Sequence, residues 1–350
     1  MHKIITVILI TITVSAGFSL IKNRISREPA SRRVPPTSIP VSSSTPFSAS
    51  ISPIPSSQNT PQQGTGKIYK PGSYNESISV DGRIRTYALY IPKGYSFSRR
   101  YPLVAVFHGG GGDGRKIASQ TGFPTKADQE GFIAVFPDGI DNHWDDGRDV
   151  IVPPINDVKF VRTLVMHLQT KLLIDENKVY ATGVSNGGIL THRLACEMAN
   201  VFAAIGADVG SLATNMLSRC SPSNPIAVAV IQGTRDPIVP ISGGMVTIGI
   251  GGRVESAENA MHFWASKNGC ASPPVVTNLP PRVQDGTRVT QTHYAACSAH
   301  GEVTYYIVDG MGHLWPPKSQ VTRGGAAGPP SANIDATEVF WEFFKTHAKK

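Results

Sequence analysis

Uninterrupted apolar runs that stop at glycine-rich or polar turns recur along the chain at 102–107, 131–137, 178–182, 201–207, 225–231 and 303–308, with stretches of helical spacing between them. Runs of this kind, without polar alternation, predict strands buried on both faces, as in a parallel sheet covered by helices. Ahead of them, residues 78–80 and 84–91 flank Asp81-Gly82, a hairpin signal that predicts an antiparallel edge. Residues 335–347 predict a closing helix with Val339, Phe340, Phe343 and Phe344 inward and Asn333 or Ser331 as its cap. The expected class is α/β, with a mostly parallel central sheet, an antiparallel N-terminal edge and helices on both faces. No internal repeat and no second folded domain is visible.

The N-terminal pattern is different. Residues 4–21 carry no charge and are followed by Lys22, Arg24, Arg27, Arg32 and Arg33; residues 37–66 again carry no charge and are crowded with Ser, Pro and Thr. We expect a signal sequence or membrane anchor over 1–21, a basic flank and disordered linker over 22–66, and one folded domain over 67–350. Small residues at Ser15, Ala16 and Gly17 offer a weak cleavage site. The basic cluster behind the apolar run opposes export under the positive-inside rule. A length of 350 residues with 40% hydrophobic content suffices for one large core. The net charge of +8 is concentrated at the start, because the chain through Pro36 holds six Lys or Arg and one Glu, or +5. The +3 left over is too small to argue a nucleic-acid footprint.

The run at 178–182 leads into Gly183-Val184-Ser185-Asn186-Gly187 and then a helix-like segment. A serine hydroxyl is a weak nucleophile and needs a base in reach and N–H donors for the oxyanion that forms. A sharp strand-to-helix turn offers both, and flanking glycines make room for it. In α/β-hydrolases such a serine is followed along the chain by an acid and then a histidine. Asp236 follows the run at 225–231, and His313 follows the run at 303–308. Asp208 and Asp309 compete for the acid role, but Asp309 shares the short loop of the histidine and Asp208 belongs to the strand nearest the serine. Ser185, Asp236 and His313 are therefore the expected catalytic residues.

Upstream, the run at 102–107 enters His108-Gly109-Gly110-Gly111-Gly112. Such a loop aims a backbone N–H from Gly109 or Gly110 at an oxyanion, beside that of Asn186, the residue after the serine. A phosphate-binding loop is the rival, but neither nucleotide fingerprint is present. Trp144 and Trp315 lie on loops after strand ends and are expected to wall a substrate cleft, with core packing as the alternative. No metal-ligand spacing stands out, so neither metal nor cofactor is expected.

From about Arg85 to the end, these strings resemble the polyhydroxybutyrate depolymerase-like esterases, a group close to feruloyl and acetylxylan esterases of carbohydrate esterase family 1. The resemblance rests on residues 102–112, 131–139, 178–196, Gln232-Gly233-Thr234-Arg235-Asp236 and Gly312-His313-Leu314-Trp315-Pro316. Leu314 and Val184 depart from the group's usual pattern without touching the triad. The resemblance implies the α/β-hydrolase fold, the same triad, and two disulfides, Cys196 with Cys220 and Cys270 with Cys297. It also implies an ester substrate, either a polyester oligomer or a polysaccharide-linked acyl group. Export follows as an expectation, with the domain secreted or held at a membrane by its N-terminal segment. A catalytically silent surface-binding protein on the same scaffold, or a serine peptidase of the same fold, are the alternatives.

Overall fold

The computed structural model describes residues 68–151, 153–271, 273–317 and 326–349. The expected leader and linker lie outside the described residues. The strands are β1 (Gly72–Val80), β2 (Arg83–Ile91), β3 (Tyr101–Phe107), β4 (Ile133–Pro137), β5 (Ile174–Val184), β6 (Ala204–Asp208), β7 (Ala227–Gly233), β8 (Gly244–Met245), β9 (Arg253–Val254), β10 (Val275–Asn278), β11 (Arg288–Tyr294) and β12 (Val303–Asp309). The helices are α1 (Gly114–Thr121), α2 (Phe123–Glu130), α3 (Asp157–Lys171), α4 (Asn186–Glu197), α5 (Ala257–Lys267) and α6 (Ala336–Lys345).

All but β8 and β9 join one sheet in the order β1-β2-β4-β3-β5-β6-β7-β12-β11-β10. The strands from β4 to β12 in that order run parallel, and every residue of β4, β6 and β7 is buried, as their unbroken apolar runs require. Asp81 and Gly82 take positive φ (51° and 75°) in the two-residue turn between β1 and β2, the geometry expected of that dipeptide. Two apolar layers result. One packs Phe160 and Leu164 of α3, Leu190 of α4 and Trp264 of α5 on one face of the sheet, and the other packs Ile117 of α1, Phe123 of α2 and Phe340 of α6 on the opposite face.

The structure adds one feature to these expectations and corrects two. The far edge of the sheet is also antiparallel: β11 pairs antiparallel with β12, and β10 with β11. These strands read Arg-Val-Thr-Gln-Thr-His-Tyr and Val-Val-Thr-Asn and are only thinly covered, so they carry no apolar run. The strand expected from Val201 begins at Ala204, because Val201 and Phe202 donate their N–H groups to Met198 in the turn that closes α4. The cap of α6 is Asp335, whose carboxylate accepts the Glu338 N–H at 3.1 Å. Asn333 instead accepts the N–H groups of Arg282 and Val283 and donates to Asp285. Trp341 is buried with Phe340 and Phe344, while Val339 and Phe343 are half-buried.

Candidate active site

Strand neighbours decide which loops meet. Phe107 is paired with Gly183, so the glycine loop after β3 lies beside the serine turn after β5. Gly233 is paired with Val308, so the loop carrying Asp236 lies beside the loop carrying His313. Both pairs sit at the C-terminal ends of parallel strands, where open α/β sheets place their ligands.

Ser185 holds φ 56° and ψ −121° between β5 and α4. A non-glycine residue pays strain for a positive φ, and such strain persists only where the surroundings fix it. Here its N–H donates to the Asp208 carbonyl at 2.9 Å, and its carbonyl accepts the Ile189 N–H at 2.8 Å. Helix α4 leaves the turn pressed against β3: a Cβ on Gly187 would lie 2.3 Å from the Phe107 carbonyl oxygen, so only glycine fits.

His313 donates Nδ1–H to Asp236 Oδ2 at 2.7 Å, and Asp236 Oδ1 accepts the N–H groups of Ile238 and Val239 at 2.8 and 2.9 Å. The Asp236 side chain is wholly buried, and the His313 side chain is 10% exposed. A carboxylate on Nδ1 fixes the imidazole orientation and leaves Nε2 as a proton acceptor. The loops are tied to each other by Arg235 N–H to the Met311 carbonyl at 2.9 Å and Thr234 N–H to the Val308 carbonyl at 3.1 Å. Of the competing acids, Asp309 is exposed and accepts the Thr234 hydroxyl at 2.9 Å. Asp208 is fully buried, neither of its carboxyl oxygens has a hydrogen-bond partner, and burial, followed by the nearby Asp236, pushes its carboxyl well above the usual carboxylate range.

Ser185 and His313 line one cavity of about 460 Å³, together with Gly109, Gly110 and Asn186. The ideal Cβ position of Gly109 lies 3.4 Å from Ser185 Cβ, so this glycine backbone runs directly past the serine. The loop is braced from below by His108: its Nδ1 donates to the Gly109 carbonyl at 2.8 Å, and its Nε2 accepts the Gly139 N–H at 2.9 Å. Burial holds this imidazole below its ordinary pKa, which suits its accepting role.

The two tryptophans do not wall this cavity, which corrects the expectation for both. Trp144 is fully buried against Phe107 and His108 and donates its indole N–H to the His108 carbonyl at 2.9 Å. Trp315 packs against Phe123 and Phe340 and donates to the Thr337 hydroxyl at 3.1 Å. Loop position does not reveal burial, which neighbours distant in sequence decide.

Sequence reasoning also passed over a buried polar chain behind the serine. The Asn186 side chain accepts the Trp144 N–H at 2.9 Å and donates to the Trp144 carbonyl at 3.0 Å and to Asp146 Oδ2 at 2.6 Å. Asp146 is paired in turn with Arg148 at 2.7 Å, both side chains being at most 2% exposed. The signal was the charge-rich Asp145-Asp146-Gly147-Arg148 immediately after a tryptophan. The disulfides Cys196–Cys220 and Cys270–Cys297 are present as the resemblance implied.

Comparison with known proteins agrees with this architecture. Residues 85–260 match the family model described as esterase PHB depolymerase. Feruloyl esterase C of Emericella nidulans is 30% identical over 288 residues, covering 80% of this chain and 90% of its own. Feruloyl esterase D of Neurospora crassa is 26% identical over 298 residues, covering 80% and 88% respectively. Among solved structures, an acetyl xylan esterase from Aspergillus awamori superposes with a TM-score of 0.50 at 16% identity, covering 75% of this chain and 94% of that one, which supports the α/β-hydrolase fold. The chain belongs to the esterase PHB depolymerase family and is a carboxylic ester hydrolase.

Proposed function

We propose that the protein hydrolyses its ester in two steps through an acyl-enzyme on Ser185. His313 Nε2 takes the serine proton as the oxygen attacks the ester carbonyl, and Asp236 orients the imidazole and stabilises its cation. The N–H of Asn186 and one from Gly109 or Gly110 hold the oxyanion, and water then releases the acid. The observation that carries this reading is the 2.7 Å hydrogen bond that Asp236 accepts from His313, which lines the same cavity as Ser185 on its strained turn. The substrates this reading favours are feruloyl or acetyl esters of polysaccharides, supported by the names of the relatives, with 3-hydroxybutyrate-type oligomers kept from the family description.

We further propose that residues 1–66 direct the domain that begins near Lys67 out of the cytoplasm, as a signal sequence that leaves it secreted or as an anchor that holds it at a membrane. The uncharged run at 4–21 and the two disulfides support this. Among the described residues no helix is long and apolar enough to cross a membrane.

The test is hydrolysis of 4-nitrophenyl acetate, methyl ferulate, acetylated xylan and soluble 3-hydroxybutyrate oligomers by the protein and by Ser185→Ala. Loss of at least about 1,000-fold in kcat is expected for the variant, because the hydroxyl forms the covalent bond. Equal rates in both proteins would remove Ser185 from the reaction.

A further inference from the structure

Between the Asp236 loop and α5 the chain makes a small hairpin, β8 and β9, that the proposed chemistry does not use. Its sequence from Gly244 to Val254 contains no acidic residue and projects Val246, Ile248 and Ile250 onto the wall of the Ser185 cavity. Ile248 is 57% exposed, an apolar side chain left open to solvent in the mouth of a cleft. Isolated exposed isoleucines are common on protein surfaces, but this one continues an aliphatic wall that includes Ile238 and Ile189 of the same cavity.

The hairpin is anchored at three places. Thr247 donates its N–H to the Ile238 carbonyl at 3.0 Å and its hydroxyl to the Pro237 carbonyl at 2.7 Å, both on the loop of Asp236. Glu255 N–H donates to the Leu212 carbonyl at 2.8 Å at the foot of the hairpin. Near the tip, the Gly251 carbonyl accepts from the Arg148 guanidinium, and Gly252, at φ 85°, lies so close that a Cβ there would meet Arg148 Cβ at 2.8 Å. Arg148 is paired with Asp146, which accepts from the Asn186 side chain. One continuous set of hydrogen bonds therefore runs from the hairpin tip to the residue proposed to supply an oxyanion N–H.

We propose that this hairpin is the acyl-selecting wall of the active site, held in register with the oxyanion site by Arg148. The proposal rests on the serine-esterase reading above and deepens it. In a feruloyl ester of a polysaccharide, the alcohol part is a polar sugar and the acyl part carries the apolar surface. Matching polarity assigns the aliphatic wall to the acyl group and the polar lining of the same cavity, with Gln120 and His143, to the alcohol. The acyl group also stays on Ser185 after the alcohol has left, so the wall that holds it governs both half-reactions. Of the esters proposed above, the wall favours those whose acyl group extends well beyond acetyl, such as an aryl-propenoyl group, over the acetyl esters.

The test compares the protein with Ile248→Ser/Ile250→Ser and with Met245→Ser, whose side chain is on the same hairpin but off the cavity wall. One ester series varies the acyl group on a constant 4-nitrophenol, and the other varies the alcohol on a constant acetyl group. The double variant is expected to lower the ratio of kcat/KM for hexanoate over acetate by about tenfold, chiefly through KM, as lost apolar contact predicts. Met245→Ser is expected to leave the ratio unchanged, and unchanged circular dichroism in both variants establishes folding. An equal loss on hexanoate and acetate, or a change that follows the alcohol series, overturns the proposal. Activity that survives Ser185→Ala would instead overturn the underlying reading, whatever the hairpin does.

Discussion

Asp208 is the residue whose chemistry is least expected from its place in the chain. It ends β6 with its backbone carbonyl on the Ser185 N–H, while its side chain is fully buried and has no hydrogen-bond partner. Burial raises its pKa above the unfolded value, so the folded protein binds a proton there that the unfolded chain releases as pH rises. The sign follows: the site costs nothing below the unfolded carboxyl pKa and destabilises increasingly as pH climbs from there toward the folded pKa. Asp208→Asn, which keeps the shape without the charge, is expected to raise Tm at pH 7 and to leave it nearly unchanged at pH 4. Thermal melts at the two pH values check this, and a Tm equal to that of the parent at both would show the carboxyl to be indifferent. Ser185, Asp236 and His313 were legible as candidates because each lies just past the end of an apolar run, where few residue types compete. The strand position of Asp208 argues against it as the acid, but its burial is a property of β5 and β7 on either side, which the local sequence does not encode. The same holds for Trp144 and Trp315, whose neighbours come from distant segments.

At the level of elements, the parallel centre was legible because strands covered on both faces must be apolar throughout. The far edge was not, since β10 is exposed and β11 is mostly half-buried and polar, so neither carries an apolar run to mark it. Helix α6 shows a smaller failure of the same kind: several polar residues precede it, and which one caps it depends on where the chain turns. Asp335→Ala is expected to cost about 1 kcal/mol, read as a lower urea midpoint with unchanged slope, whereas Ser331→Ala should not remove that cap. The hidden Asp146–Arg148 pair lies at the other extreme. Asp146→Ala strands a buried guanidinium and is expected to destabilise by about 3–5 kcal/mol, measured by the same titration. Its effect on kcat should exceed that of Asp335→Ala measured under fully folding conditions, since Asp146 also fixes Asn186.

Across the whole molecule, two disulfides close segments of similar length, with sequence separations of 24 and 27. Chain-entropy reasoning gives about 2–4 kcal/mol for each, and Cys196→Ala/Cys220→Ala should show the first as a lowered Tm in the oxidised protein. The pairing of Gly233 with Val308 has a different consequence, one of timing. Asp236 meets His313 only after β12 has inserted beside β7, and β12 is among the last strands to be made. The serine turn and its glycine loop precede in the chain the histidine proposed to serve them as base. On the reading proposed above, a chain cut short before residue 303 would carry the Ser185 turn without His313 to activate it, and is expected to cleave no ester.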